Sequence, residues 1–305
     1  MELLRHIQGT KETPRAFRTS EWLLIAYFSY TAVLACFLPL HPPLAQIIIG
    51  LNLTIFAGYA LLAYAWSLRG SEFLGVIRDW FALALMLLAY REMGWFARPH
   101  HTFYLEQSWV QLDRMLLRNW GLHRAIESLG PALPSALEIS YSLVYALAPF
   151  AVAMLYVYGK RDRVDRFLFT FVLGVLLSYV QYPLWPSEPP RTVFPGEDFP
   201  GFHTVFRQLN WWMLGGYGIH TSVFPSAHVS GAFSAAFGMI RVLPERPWVG
   251  RLLLVLAVLI ATATVYGRYH YAADALAGFA MSLIAVAVTE LRERRAGRRL
   301  RVGLS

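Results

Sequence analysis

Eight stretches of this chain, roughly residues 22–40, 44–66, 79–96, 137–158, 165–185, 223–243, 250–267 and 270–290, are apolar on every side and long enough to cross a hydrocarbon core of about 30 Å. A helix without a polar face has nothing to turn to water, and a chain in lipid must satisfy its backbone internally. The expected fold class is therefore all-α, a polytopic membrane helix bundle of about eight spans. Composition agrees: 56% of the 305 residues are hydrophobic and 15% are charged, a balance that ordinary water-soluble domains do not have. The first stretch has the length of a signal peptide, and Val33-Leu34-Ala35-Cys36 has the look of a lipoprotein cleavage box. Pro39, Pro42 and Pro43, however, turn the chain straight into the second stretch, which predicts a retained helical hairpin.

The formal charge of +8 would suit nucleic acid if the basic residues lined one face, but they fall in short clusters between apolar segments. That pattern reads as topology, because lysine and arginine are retained on the cytoplasmic side. Most of the 27 basic residues lie in the amino-terminal segment (Arg5, Lys11, Arg15, Arg18), the second connection (Arg69, Arg78), the fourth (Lys160, Arg161, Arg163, Arg166), the sixth (Arg241, Arg246, Arg251) and the tail from Arg292 to Arg301. The expected organisation is a cytoplasmic segment at 1–21, a single membrane domain at 22–291 and a basic cytoplasmic tail at 292–305. The long third connection (97–136), the fifth (186–222) and the turn at Arg268 then lie on the extracytoplasmic or luminal side. The third contains Trp109 to Trp120, apolar at helical spacing opposite charged residues; an extracytoplasmic interfacial helix and a cap packed on the bundle both fit. The lone cysteine, Cys36, excludes an intrachain disulfide and is expected as a buried, inert thiol.

Chemistry concentrates in three short segments on that second side. His270 and Asp274 are four apart at the start of the last stretch, one helical turn apart on one face. A carboxylate on one imidazole nitrogen fixes the tautomer and leaves the other as nucleophile or base; a structural pair locking a helix end would look the same. Pro225, Ser226 and His228 should lie near a helix amino terminus, where free N–H groups suit a phosphate, and Gly215, Gly216 and Gly218 would let a loop approach closely. Arg191 follows Pro189 and Pro190, which stiffen the chain behind its guanidinium.

Taken in order, Pro189-Pro190-Arg191, Pro225-Ser226-Ala227-His228, and Tyr269-His270-Tyr271 through Asp274 to Leu276-Ala277-Gly278 resemble the three signatures of the type 2 phosphatidic-acid phosphatase superfamily, whose soluble relatives include the vanadium haloperoxidases. They span roughly residues 180–280. The resemblance implies phosphoryl transfer through a phosphohistidine without metal or other cofactor. His270 would attack phosphorus, Asp274 would orient it and His228 would protonate the leaving oxygen, while Arg191, Ser226 and Arg268 would hold the phosphate oxygens. Two positions depart from the pattern: Leu184 stands seven before Arg191 where a lysine is usual, and Thr264 stands six before His270 where an arginine is usual, which is why Arg268 is assigned the missing charge. The double proline and the Tyr-His-Tyr look most like the branch containing inositol phosphorylceramide synthases and bacterial relatives. The implied partners are the membrane and a phospholipid, polyprenyl phosphate or sphingolipid-type substrate; whether water or an alcohol accepts the phosphoryl group stays open.

Two other classes compete. A metal hydrolase would use His220, His228, His270 and Asp274 as ligands, although no paired-histidine or multi-carboxylate motif accompanies them. A transporter or channel would place ionisable groups at mid-membrane, where Asn52 is the main polar residue. His6, His41, His100, His101, His123 and His203 fall in connecting or terminal segments and are expected to be solvated or interfacial. Glu92 and Glu138 would line a headgroup pocket or pair with a base.

Overall fold

The computed structural model describes residues 17–97, 102–219, 221 and 223–302, and among them every regular element is helical. Contacts divide the chain into two units, Met1–Leu85 and Met86–Ser305.

The first unit holds α1 (Thr19–Phe37), α2 (Pro42–Arg69) and the start of α3 (Glu72–Met93). Pro42 and Pro43 occupy the first turn of α2, where a missing N–H costs nothing, and the left-handed Gly70 closes the helix with its N–H on the Trp66 carbonyl. Asn52 is buried and donates to the Phe28 carbonyl and to Thr31 Oγ1, both at 2.9 Å. The polar group that a transport pathway would have used is thus a lock between α1 and α2. Arg78 lies inside α3 rather than in a solvated connection, and it grips Glu21 of α1 in a bidentate pair at 2.7 and 2.5 Å. Cys36 is exposed at the outer side of α1, not buried as expected, because the face of α1 that packs runs through Leu24, Phe28, Thr31 and Ala35.

The second unit continues with α4 (Tyr104–Arg114), a π-helical turn (Met115–Asn119), α5 (Leu122–Glu127), α6 (Ala132–Ser142), α7 (Val144–Val157), a 3-10 turn (Arg161–Arg163), α8 (Val164–Tyr179), α9 (Pro190–Val193), α10 (Val205–Tyr217), α11 (Ala227–Val242), α12 (Pro247–Tyr266) and α13 (Ala272–Val302). Its centre is α11, packed against α8, α12 and α13. The residues of α11 explain that place: Ser230, Gly231, Ala232, Ser234, Ala235, Ala236 and Gly238 let neighbouring backbones come close. Gly174 of α8 fits so tightly that a Cβ there would lie 1.9 Å from Ser234 Oγ, and Ser178 donates to Ser230 Oγ at 2.9 Å.

Five helices, α1, α2, α3, α12 and α13, are long and apolar enough to cross a membrane, and α6 with α7 would make a sixth span bent by 65°. The other two expected spans correspond to α8 and α11, which have 16 residues each. At about 24 Å they fall short of a full hydrocarbon core, and they are sheathed by protein. Within residues 186–222, expected as a connection, α10 forms, started by Thr204, whose hydroxyl accepts the Arg207 N–H. Gly215 and Gly216 belong to α10 and face open space, so they are not the close-approach loop expected of them.

Candidate active site

The three signature segments meet at one end of the second unit. Ser226 caps α11, its hydroxyl accepting the Val229 N–H at 3.4 Å, so the helix terminus forms as expected. The Ser226 N–H in turn donates to the Asp274 carbonyl at 3.0 Å, stitching the second signature to the third. That stitch requires Gly278: a Cβ there would lie 2.3 Å from the Ser226 carbonyl oxygen. The turn that carries His270 is folded over the end of α12, where the Thr264 carbonyl accepts both the Tyr269 and His270 N–H groups at 2.9 Å.

These constraints bring His270, Asp274 and His228 into one line. Asp274 Oδ2 faces His270 Nδ1 at 3.3 Å and accepts the Tyr271 N–H at 2.9 Å. His270 Nε2 faces His228 Nδ1, also at 3.3 Å. With Nδ1–H directed to the carboxylate, the lone pair of His270 sits on Nε2, toward His228. Burial, with the charge of Arg191 second, pushes His270 down to about 3, so the ring is neutral at ordinary pH and its lone pair is free for bonding.

A narrow cleft opens beside the two histidines, lined by Tyr90, Tyr141, Tyr182, Arg191, Leu214, Ile219, Val223, His228, Tyr269 and His270. Arg191 donates through Nη1 to the Tyr269 carbonyl at 3.2 Å and lies 6.0 Å from the centre of the Tyr269 ring. Tyr141 stacks on His228 (5.1 Å) and on Tyr269 (4.1 Å), so one ring sets the planes of both. Behind them Glu138 accepts from the Tyr269 hydroxyl at 2.6 Å, from Arg207 Nη1 at 3.1 Å and from Asn210 Nδ2 at 2.7 Å. Glu138 is thus satisfied by α10 and the third signature rather than lining the cleft.

Arg268, expected on the phosphate, has another partner. It is fully buried with a left-handed φ of 64°, its Nη1 is bonded to Asp113 of α4, and it does not line the cleft. Leu184, at the usual lysine position, is exposed and brings no charge. Tyr90, Tyr141 and Tyr182 line the cleft without belonging to any of the three signatures. Their common signal was position: each lies at the end of an apolar stretch on the side of the signatures. Among the described residues no group of three or more His, Cys, Asp or Glu is placed to hold a metal ion, and His220 of the metal reading, with His6, His100 and His101, lies outside them. His41 and His203 are exposed, and His123 is half-buried against Tyr266 and faces Glu127 at 3.3 Å.

The family model that matches this chain is that of the PAP2 superfamily, over residues 107–288, more than half of its length. No curated protein and no solved structure matches. The matched region begins in α4 and takes in all three signatures and every lining residue of the cleft except Tyr90.

Proposed function

The chain belongs to the PAP2 superfamily, a group of phosphatases and phosphotransferases, and from that premise we propose that it transfers phosphoryl groups on lipids, at the extracytoplasmic or luminal face, through a phosphohistidine. The observation that carries this reading is the line Asp274–His270–His228 ending in a cleft that holds Arg191. A substrate parts the two imidazoles and places phosphorus between their facing nitrogens. His270 Nε2 attacks, the P–N bond forms as the bond to the leaving oxygen breaks, and protonated His228 gives its Nδ1 proton to that oxygen. Water or an alcohol then attacks the phosphohistidine and returns a proton to His228 as the P–N bond breaks. The negative charge of the bound phosphate favours the protonated form of His228 that the first half needs. Arg191 and the amino terminus of α11 stabilise the equatorial oxygens.

Charge favours transfer of a phosphorylated headgroup, as in inositol phosphorylceramide synthases, over hydrolysis of a phosphomonoester. Arg191 is the guanidinium among the lining residues, and Arg268 is taken up by its pair with Asp113. A single fixed guanidinium beside a titratable His228 suits a singly charged phosphodiester better than a monoester dianion, and tyrosine hydroxyls supply neutral donors in place of further arginines.

The test is purified protein offered phosphatidate, a polyprenyl phosphate and an inositol phospholipid, with and without ceramide or diacylglycerol as acceptor, the products resolved by mass. A new headgroup-bearing lipid marks a transferase and free phosphate alone a phosphatase; turnover confined to water-soluble phosphates defeats the lipid reading. His270→Ala should abolish turnover, and His228→Ala should lower it by on the order of 10²–10⁴-fold. Turnover should survive EDTA, and loss of activity to the chelator would revive the metal reading.

A further inference from the structure

Glu106, Trp109 and Asp113 stand at i, i+3 and i+7 on α4, which puts all three on one face of the helix. Each reaches a signature segment. Glu106 is fully buried and its Oε1 accepts the N–H of Glu188, the residue directly before the first, at 2.9 Å. Trp109 stacks on Phe224, beside the second, at 4.9 Å and leans on Tyr271 of the third at 5.6 Å. Asp113 is fully buried, with Oδ2 on Arg268 and Oδ1 accepting the Ala272 N–H at 2.8 Å. It therefore grips the chain two residues before and two residues after His270.

A helix that merely covered apolar surface would turn apolar side chains inward. This one turns two carboxylates inward, and a buried carboxylate is tolerated where it is paired and hydrogen-bonded. Arg268 also holds a left-handed backbone that a non-glycine residue keeps where its surroundings fix it.

We propose that α4 is a clasp that sets the three signature segments in register, with Asp113 as the positioning residue that fixes His270 against His228. The proposal rests on the reading of that histidine pair as the reacting centre. Asp113 touches no lining residue of the cleft by a hydrogen bond; it acts through Arg268 and Ala272 on the turn between them.

The experiment uses the full chain in detergent or nanodiscs. Asp113→Asn keeps the size of the side chain and an acceptor for Ala272 but removes the charge facing Arg268. It should lower kcat at least tenfold with KM changed less than threefold, and Asp113→Glu should recover part of the loss. Hydrogen exchange by mass spectrometry, on peptides covering 186–192, 223–227 and 266–274, supplies a readout independent of turnover. Asp113→Asn should raise exchange in 266–274, Glu106→Ala in 186–192, and Trp109→Phe, the mildest change, in 223–227 and 266–274, each with the α8 and α11 peptides unchanged. Wild-type kcat in Asp113→Asn, or exchange rising equally in α8 and α11, would overturn the clasp. If the wild-type protein turns over no lipid phosphate, the functional reading fails, and the exchange data alone decide whether α4 holds the three segments.

Discussion

Asp113 and Asp274 are both fully buried carboxylates, yet they do different work. Asp274 binds close by in sequence, to the Tyr271 N–H and the His270 ring, so the pairing is legible from spacing, although His270 sits in the bend before α13 and not on the helix that the spacing implies. Asp113 reaches across 155 positions to Arg268, and no local pattern announces it. Burial pushes Asp113 up to about 6, with Asp274 adding to the shift, while the Arg268 charge and the Ala272 N–H pull it back. At neutral pH it is ionised and balances Arg268; as pH falls through about 6 it takes up a proton and that balance is lost. Turnover of a phosphodiester lipid, which does not itself titrate in this range, should therefore drop on the acid side of about 6. Asp113→Asn should show a lower plateau without that acid limb. A pH profile of kcat for the two proteins checks this, and coincident profiles would count against it.

Among the elements, α11 shows most directly how residue size sets the site. Its small residues draw α8 to within touching distance, and Gly278 does the same for α13 at the Ser226 carbonyl. Gly278→Ala forces a methyl group into 2.3 Å of that oxygen, and backbone on both sides leaves no flexible end to give way. The expected cost is about 1–3 kcal/mol of stability, with activity lost because Ser226 and Asp274 are parted. Gly50→Ala in α2, where a Cβ would meet open space, is the matched control and should be neutral or slightly stabilising. Thermal denaturation of both variants in detergent, together with turnover, measures the difference. The segment from α4 through the π-helical turn buries Glu106, Val110, Asp113 and Leu117, a packing that suits both an interfacial helix and a cap. In α10, too, aromatic residues face outward: Trp211 and Trp212 are exposed while Arg207 and Asn210 turn inward to Glu138.

Across the second unit, the two ends of the helices differ in chemistry. One gathers the histidines, Arg191 and the tyrosines; at the other, Arg163 pairs with Glu245, and Arg166 and Arg241 with Glu293. If arginine retention sets orientation, the cleft end faces away from the cytoplasm. Cysteines placed singly at the exposed positions Ser128 and Asp162, in a Cys36→Ala background, should react differently with an impermeant thiol reagent on intact cells: Ser128→Cys labelled and Asp162→Cys protected. The opposite pattern would reverse the topology. The sequence by itself determined the all-helical class, the long spans, the family and the His270–Asp274 pair, because hydropathy, i, i+4 spacing and ordered short motifs are properties of neighbouring residues. Only the tertiary structure decided that Arg191 and not Arg268 lines the cleft, that tyrosines line it too, and that α4 contacts the segments around it. Those outcomes depend on which distant side chains are brought within 3 to 5 Å of one another, as Asp113 is to Ala272 at 2.8 Å and Tyr141 to Tyr269 at 4.1 Å. Contacts of that kind arise from how helices pack, and the spacing of residues along the chain carries no trace of them.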